Sequence, residues 1–265
     1  MNKKFIANFQ GKFAAALILL GCMLLFVNFL GLFFYTTIDN DHPDLWDKHP
    51  RTISETEFWN HAYRYDDEKL SNYLERLTKL VSDRMLLIDK KYAKPTFFEN
   101  WILWVVAQQR GDFEWINSKR AVRLGGGLCS QHAIVFDNIL KEQSIASRIL
   151  ALNGHVLNEV LVDGQWRVYD PDFNVIFHQS MKELEASPEK VFQVYRAAGL
   201  TDNEALQWQK IFSSDVDNWH FGSSISYSTD AYIIEKLAFY FVWVLPGIMI
   251  LIGLLLLRFF SFNKR

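Results

Sequence analysis

His155-Val156-Leu157-Asn158-Glu159-Val160-Leu161-Val162-Asp163-Gly164-Gln165-Trp166-Arg167-Val168-Tyr169-Asp170 reads as two strands folded back on each other. β-Branched and aromatic residues fill both arms, and Asp-Gly is a dipeptide that closes a two-residue hairpin turn. Such a turn pairs Val162 with Gln165, sets Leu157 opposite Asp170 and sets His155 opposite Asp172. Alternation along a strand then projects His155, Asp170 and Asp172 to one side of the hairpin, with Asp170 a diagonal neighbour of His155.

Outward from the hairpin, Ser147–Leu152 predicts a third strand and Ser130–Gln143 a helix with Ala133, Phe136, Ile139 and Leu140 on its buried face. Met181 to Phe212 returns to a helical pattern, broken near Gly199. Upstream, Ser54 to about Lys90 is helical, with Ser54 and Glu57 as a capping box and Leu70, Leu74, Leu77 and Val81 at helical spacing. Thr96 to Gln109 predicts a second amphipathic helix, its stripe formed by Phe97, Trp101, Trp104 and Val105. Arg110 to Leu128 is then expected to be a long connection. His42, His49 and His61 fit no familiar ligand spacing and are expected as solvated loop histidines; His132 and His178 are expected at the surface.

Two uncharged apolar runs flank all of this, Phe13–Tyr35 and Leu237–Leu257, each long enough to cross a bilayer at about 20 residues. The first exceeds a signal-peptide core and lacks a small-x-small cleavage site, so it is expected as a permanent anchor. The expected layout is a cytoplasmic 1–12, a span over 13–35, a linker over 36–53, an extracytoplasmic domain over 54–236, a span over 237–257 and a cytoplasmic tail over 258–265. Lys3, Lys4 and Lys12 precede the first span, and Arg258, Lys264 and Arg265 follow the second, which argues for both termini in the cytoplasm. Between the spans 22 basic residues face all 30 acidic ones, a net charge of −8. That balance argues against nucleic acid as a partner. Neither span carries an ionisable residue, which argues against a channel; Asn28 and Pro246-Gly247 read as helix packing and a kink.

Cys22 lies inside the first run, so Cys129 is the one thiol of the outer segment and has no partner there for a disulfide. It follows Gly125-Gly126-Gly127-Leu128 and opens the predicted helix. A sulfur in that first turn faces free backbone N–H groups, a setting that suits a nucleophile, and the glycines let a substrate approach the Cys129 N–H. The bland alternative is an inert buried cysteine. Phosphate binding is discounted because the lysine and Ser/Thr of a P-loop are missing. A thiol nucleophile needs a base and a group that orients it, and His155 with Asp170 or Asp172 are the candidates; geometry alone does not choose between the aspartates.

Together Gly127-Leu128-Cys129-Ser130-Gln131-His132-Ala133, His155-Val156-Leu157-Asn158-Glu159-Val160 and Asp163-Gly164-Gln165-Trp166-Arg167-Val168-Tyr169-Asp170-Pro171 resemble the core of the transglutaminase-like superfamily. The resemblance covers about Leu124 to Phe173 and implies a papain-like α+β fold, the cysteine helix packed on an antiparallel sheet; the two apolar runs would set this core between two transmembrane helices. It implies Cys129 as nucleophile, His155 as base and Asp170 as the orienting carboxylate. Leu157 stands where the family usually has tryptophan, and Arg123 where papain-type relatives carry an oxyanion-hole glutamine. Gln108, Gln109 and Gln131 stay open for that role. Glu159 is expected to turn away from His155 and pair with a basic neighbour, and Trp166 to pack in the core.

The function expected from this is a cysteine acyltransferase or protease in the cell envelope, hydrolysing or transamidating a peptide or other amide. It would need no metal or other cofactor and would be held in the cytoplasmic membrane beside the proteins of envelope assembly. The alternative is a catalytically inactive scaffold module of the same fold in polysaccharide or peptidoglycan assembly.

Overall fold

The structure, a computed structural model, describes residues 3–46, 50–213 and 218–262. His49, Lys264 and Arg265 lie outside these, as do the side chains of Lys3 and Lys4. In chain order the elements are α1 (Lys3–Leu30), α2 (Glu55–His61), α3 (Leu70–Arg84), β1 (Leu86–Leu87), α4 (Trp101–Arg110), α5 (Ser118–Leu124), β2 (Gly126–Gly127) and α6 (Cys129–Glu142). There follow β3 (Ser147–Leu152), β4 (His155–Val162), β5 (Gln165–Asp170), β6 (Val175–Ile176), α7 (Met181–Ala186), α8 (Glu189–Ala197), α9 (Asp202–Ile211), β7 (Trp219–Phe221), α10 (Ser224–Tyr227) and α11 (Thr229–Phe262). They form two compact units. One gathers the N-terminal segment to Thr36, Lys94–Gly111 and the C-terminal segment from Ile233; the other holds Thr37–Ala93 and Asp112–Tyr232.

In the first unit, α1 and α11 are both apolar enough and long enough to cross a membrane, over Gln10–Leu30 and Thr229–Phe260. They pack antiparallel at close range. A Cβ on Gly21 would lie 2.7 Å from the Pro246 carbonyl and from Ile250, and one on Gly253 would lie 2.8 Å from the Ala14 carbonyl. Small residues permit that approach between helices in an apolar medium, where packing rather than the hydrophobic effect holds them. Near the other end Asn28 is buried and its amide donates to the Val242 carbonyl, which is the helix-packing role its position suggested.

The second unit is α+β, built on an antiparallel five-stranded sheet of order β6-β5-β4-β3-β7. Asp163 and Gly164 both have positive φ, 51° and 79°, as a hairpin turn with right-twisted arms requires. The register follows from that turn: Val162 pairs with Gln165 and Asn158 with Tyr169. α6 covers one face, where Asn158 Nδ2 donates to the Ala133 carbonyl and Phe136 stacks on Tyr169 at 5.9 Å. The other face meets α7, α8 and α9 through Leu150, Leu157, Val168, Phe177, Met181, Leu184, Val191, Tyr195 and Phe212. Each aliphatic or Phe side chain so buried contributes roughly 1.5–3 kcal/mol.

Several local expectations change. The Arg110–Leu128 connection contains α5, capped by the Asn117 side chain and closed by Gly125 in the left-handed region (φ 80°). Ser54–Lys90 divides into α2 and α3, and the Ser54 hydroxyl accepts from the Glu57 N–H. The second amphipathic helix begins at Trp101, because Asn100 caps Ile102 and Leu103, and it buries Leu103 and Ala107 rather than the aromatic stripe. Gly199 (φ 99°) separates α8 from α9 at the predicted break.

Candidate active site

The site forms at one end of the sheet, from the last residue of β5, the first of β4 and the first of α6. Cys129 is the first helical residue after Leu128, so its N–H has no carbonyl to bond within the helix and remains a donor for an approaching oxygen. The glycines before it serve the chain itself. Gly126 and Gly127 form a short parallel ladder with Leu86 and Leu87, and a Cβ on Gly127 would fall 2.5 Å from that of Gln131. Close backbone packing thereby fixes where α6 starts and where the sulfur points.

His155 is buried, and its Nε2 is 2.8 Å from Asp170 Oδ2. The Cys129 sulfur, a His155 ring nitrogen and an Asp172 carboxylate oxygen all lie within 4.8 Å of one another. With Nε2 committed to Asp170, Nδ1 is the nitrogen left for the thiol. The side chains named in the sequence reading, Cys129, His155 and Asp170, therefore stand together, and the carboxylate in hydrogen-bond contact with the imidazole is that of Asp170. Burial opposes charge on His155, but the Asp170 carboxylate and the Cys129 sulfur outweigh it and hold the ring's pKa well above its ordinary value. Burial likewise opposes charge on Asp170, yet His155, the Tyr195 hydroxyl at 2.5 Å and the Asp172 N–H at 3.1 Å keep its pKa below the usual carboxylate value. Tyr195, buried and facing that carboxylate, is pushed well above its own ordinary value.

Three side chains of this site were not foreseen. Tyr195 on α8 donates to Asp170, Trp208 on α9 lies 4.4 Å ring to ring from His155, and Phe173 lies 5.8 Å from it. All come from beyond the hairpin and carry no local motif. His132 is not at the surface. It is fully buried, with Nδ1 2.9 Å from the Leu128 carbonyl, Nε2 3.0 Å from the Met85 carbonyl and Asp172 Oδ1 3.7 Å away, so it ties the start of α6 to the end of α3. His178 is exposed, His61 is exposed against Tyr65, and His42 packs edge-on to Tyr92.

Glu159 does not turn away from His155, since residues 155, 157 and 159 share a face by strand alternation. It does pair with a basic neighbour: its carboxylate binds Arg148 at 2.7 and 2.5 Å and accepts from the Met181 N–H. Trp166 is half-buried beneath the Arg148 guanidinium, 4.3 Å from the ring centre. Gln131 is buried and held to the Trp115 backbone through both ends of its amide, at 2.7 Å each, which leaves one Nε2 hydrogen uncommitted by those two bonds. Gln108 and Gln109 are exposed on α4 in the other unit.

Among the described residues the one grouping of metal-ligating side chains is Cys129, His155 and Asp172. Any ion there would be held by the Cys129 thiol, the His155 imidazole and the Asp172 carboxylate. No family model, no curated protein and no solved structure matches the chain.

Proposed function

We propose that this protein is a membrane-anchored cysteine acyl-transfer enzyme of the transglutaminase-like, papain-like type, with its sheet unit outside the cytoplasmic membrane and both termini inside. The observation that carries the reading is the buried His155 ring, held by Asp170 through Nε2 at 2.8 Å and with a ring nitrogen within 4.8 Å of the Cys129 sulfur. Nucleophile, base and orienting group then stand in the order this chemistry requires. Cys129 attacks an amide carbonyl, and the Cys129 N–H stabilises the oxyanion. The proton held on His155 passes to the leaving amine, and an acyl-enzyme remains. Water then releases an acid, or a second amine forms a new amide. The substrate is a peptide or another amide of the cell envelope, which suits an acidic outward domain tethered at both ends.

The test is thiol reactivity in the full chain carrying Cys22→Ser. Iodoacetamide is expected to label Cys129 at pH 6, and about tenfold more slowly after His155→Ala. Equal rates in the two proteins would leave a fold without an activated thiol, and the scaffold reading would replace the enzyme.

A further inference from the structure

α4 poses a question that the site does not answer. Trp101-Ile102-Leu103-Trp104-Val105-Val106-Ala107 is apolar on every side of the helix, yet only Leu103 and Ala107 are buried. Phe97 (38%), Phe98 (43%), Trp104 (36%) and Val105 (43%) are exposed, and Phe97 packs edge-on against Trp104 at 5.5 Å. A contiguous aromatic surface of this kind marks an interaction face.

Its occupant is indicated by what the segment packs with. Lys94–Gly111 belongs to the same compact unit as α1 and α11. Its backbone crosses α1 where the helix ends: a Cβ on Gly31 would overlap the Phe98 carbonyl, and the Phe34 and Phe98 rings are 6.4 Å apart. Phe98 thus lies level with the exit of the first apolar helix, the depth at which aromatic side chains gather at a membrane boundary. Ten residues rise only about 15 Å, half of a hydrocarbon core of about 30 Å, so α4 is too short to cross. Polar groups close both ends. Thr96 and Glu99 bond each other's N–H groups, Asn100 caps the helix, and Arg110 and Gly111 end it.

We infer that Phe97–Arg110 is a third membrane element, an interfacial helix whose Phe97, Phe98, Trp104 and Val105 lie in the lipid at the exit end of the first span. The inference rests on α1 and α11 being membrane spans and is independent of the enzyme reading.

The experiment places a nitroxide at Val105→Cys in the full chain, with Cys22→Ser and Cys129→Ser, in nanodiscs of phosphatidylglycerol and phosphatidylethanolamine. Collision with oxygen and with a water-soluble nickel chelate is then measured. Leu19→Cys on the exposed side of α1 is the lipid reference, and Lys119→Cys on the exposed side of α5 is the water reference. The oxygen-to-chelate ratio at Val105→Cys is expected to be at least about threefold above that at Lys119→Cys and below that at Leu19→Cys, which sits near mid-span, as for a side chain at the headgroup and acyl boundary. A ratio like that of Lys119→Cys would place α4 in water and overturn the inference. Shielding from both reagents would overturn it too, and would mean that protein, such as a second copy, covers the face. Phe98→Cys repeats the measurement and decides it should Val105→Cys not fold.

Discussion

Replacing Tyr195 by phenylalanine removes one oxygen and leaves the ring, which keeps its place beside Phe177 and Phe212 in the core over the sheet. What is lost is one of three donors to the buried Asp170 carboxylate, the others being His155 Nε2 and the Asp172 N–H. Hydrogen bonds to charged groups are worth about 1.5–3 kcal/mol against about 0.5–1.5 for neutral ones. At about 2–4 °C per kcal/mol for a domain of this size, Tyr195→Phe should lower the melting temperature of the full chain in detergent by about 3–12 °C at pH 7. Tyr73→Phe is the control, because its buried hydroxyl donates to the Ala62 carbonyl and accepts from the Gln143 side-chain amide, both neutral partners, so that its loss carries no carboxylate titration with it.

The pH dependence sharpens the test. Asp170 has its pKa lowered in the folded chain, so its contribution to stability is present above the ordinary carboxylate value of about 3.9 and is lost as pH falls through the lowered one. The Tyr195 hydroxyl favours the carboxylate over the acid, so the Tyr195→Phe deficit should be full at neutral pH and shrink in acid. Tyr73→Phe should show a deficit that does not change with pH over the same range. A Tyr195→Phe melt within 1 °C of the parent at pH 7, or a deficit that grows in acid, would refute the claim that this hydroxyl holds an ionised Asp170.

Gly127→Ala should destabilise the chain by about 1–3 kcal/mol and slow Cys129 alkylation, because its Cβ meets the Gln131 Cβ at the fixed start of α6; an unchanged melt would show that the helix start yields. Glu159→Ala should be destabilised by about 3 kcal/mol in urea titration, since it strands the Arg148 guanidinium and the Met181 N–H together; a loss below about 1 kcal/mol would make the pair a surface one. Zn²⁺ should protect Cys129 from alkylation through the sulfur, imidazole and carboxylate that converge there, and Asp172→Asn should weaken that protection about tenfold; equal protection would remove Asp172 from the ligand set.

The hairpin was legible because its information is local: an Asp-Gly turn fixes register, and register fixes which side chains share a face. Register alone puts His155 and Asp170 on one face as diagonal neighbours, and the glycine run ahead of α6 marks Cys129. The rest depends on long-range packing. Tyr195 and Trp208 reach the site only because α8 and α9 fold back over β4 and β5, and no spacing encodes that return. His132 looked exposed because a polar residue in a first helical turn usually is; the carbonyls of Leu128 and Met85 reverse the expectation. β6 and β7, of two and three residues, are too short to display a period. α4 shows the limit of apolar periodicity, which locates a helix without saying whether its stripe meets a core or some other apolar medium.

The composition of the site is not one that stability alone favours. The surrounding cluster is apolar, with Leu157, Val168, Phe177 and Phe212 buried beside it, and such a cluster could absorb further aliphatic groups without desolvating any charge. Instead an imidazole, a carboxylate and a phenol are buried in a chain of hydrogen bonds that ends at a half-buried thiol. Taking such groups from water gains little net stability even when they pair well, whereas removing any one leaves its neighbour uncompensated. A fold selected for stability alone would have no reason to assemble them at the mouth of a helix start fixed by packed glycines. The arrangement is accounted for if the thiol is the working end of the chain and the buried groups behind it set the orientation and protonation of the one ring that faces it.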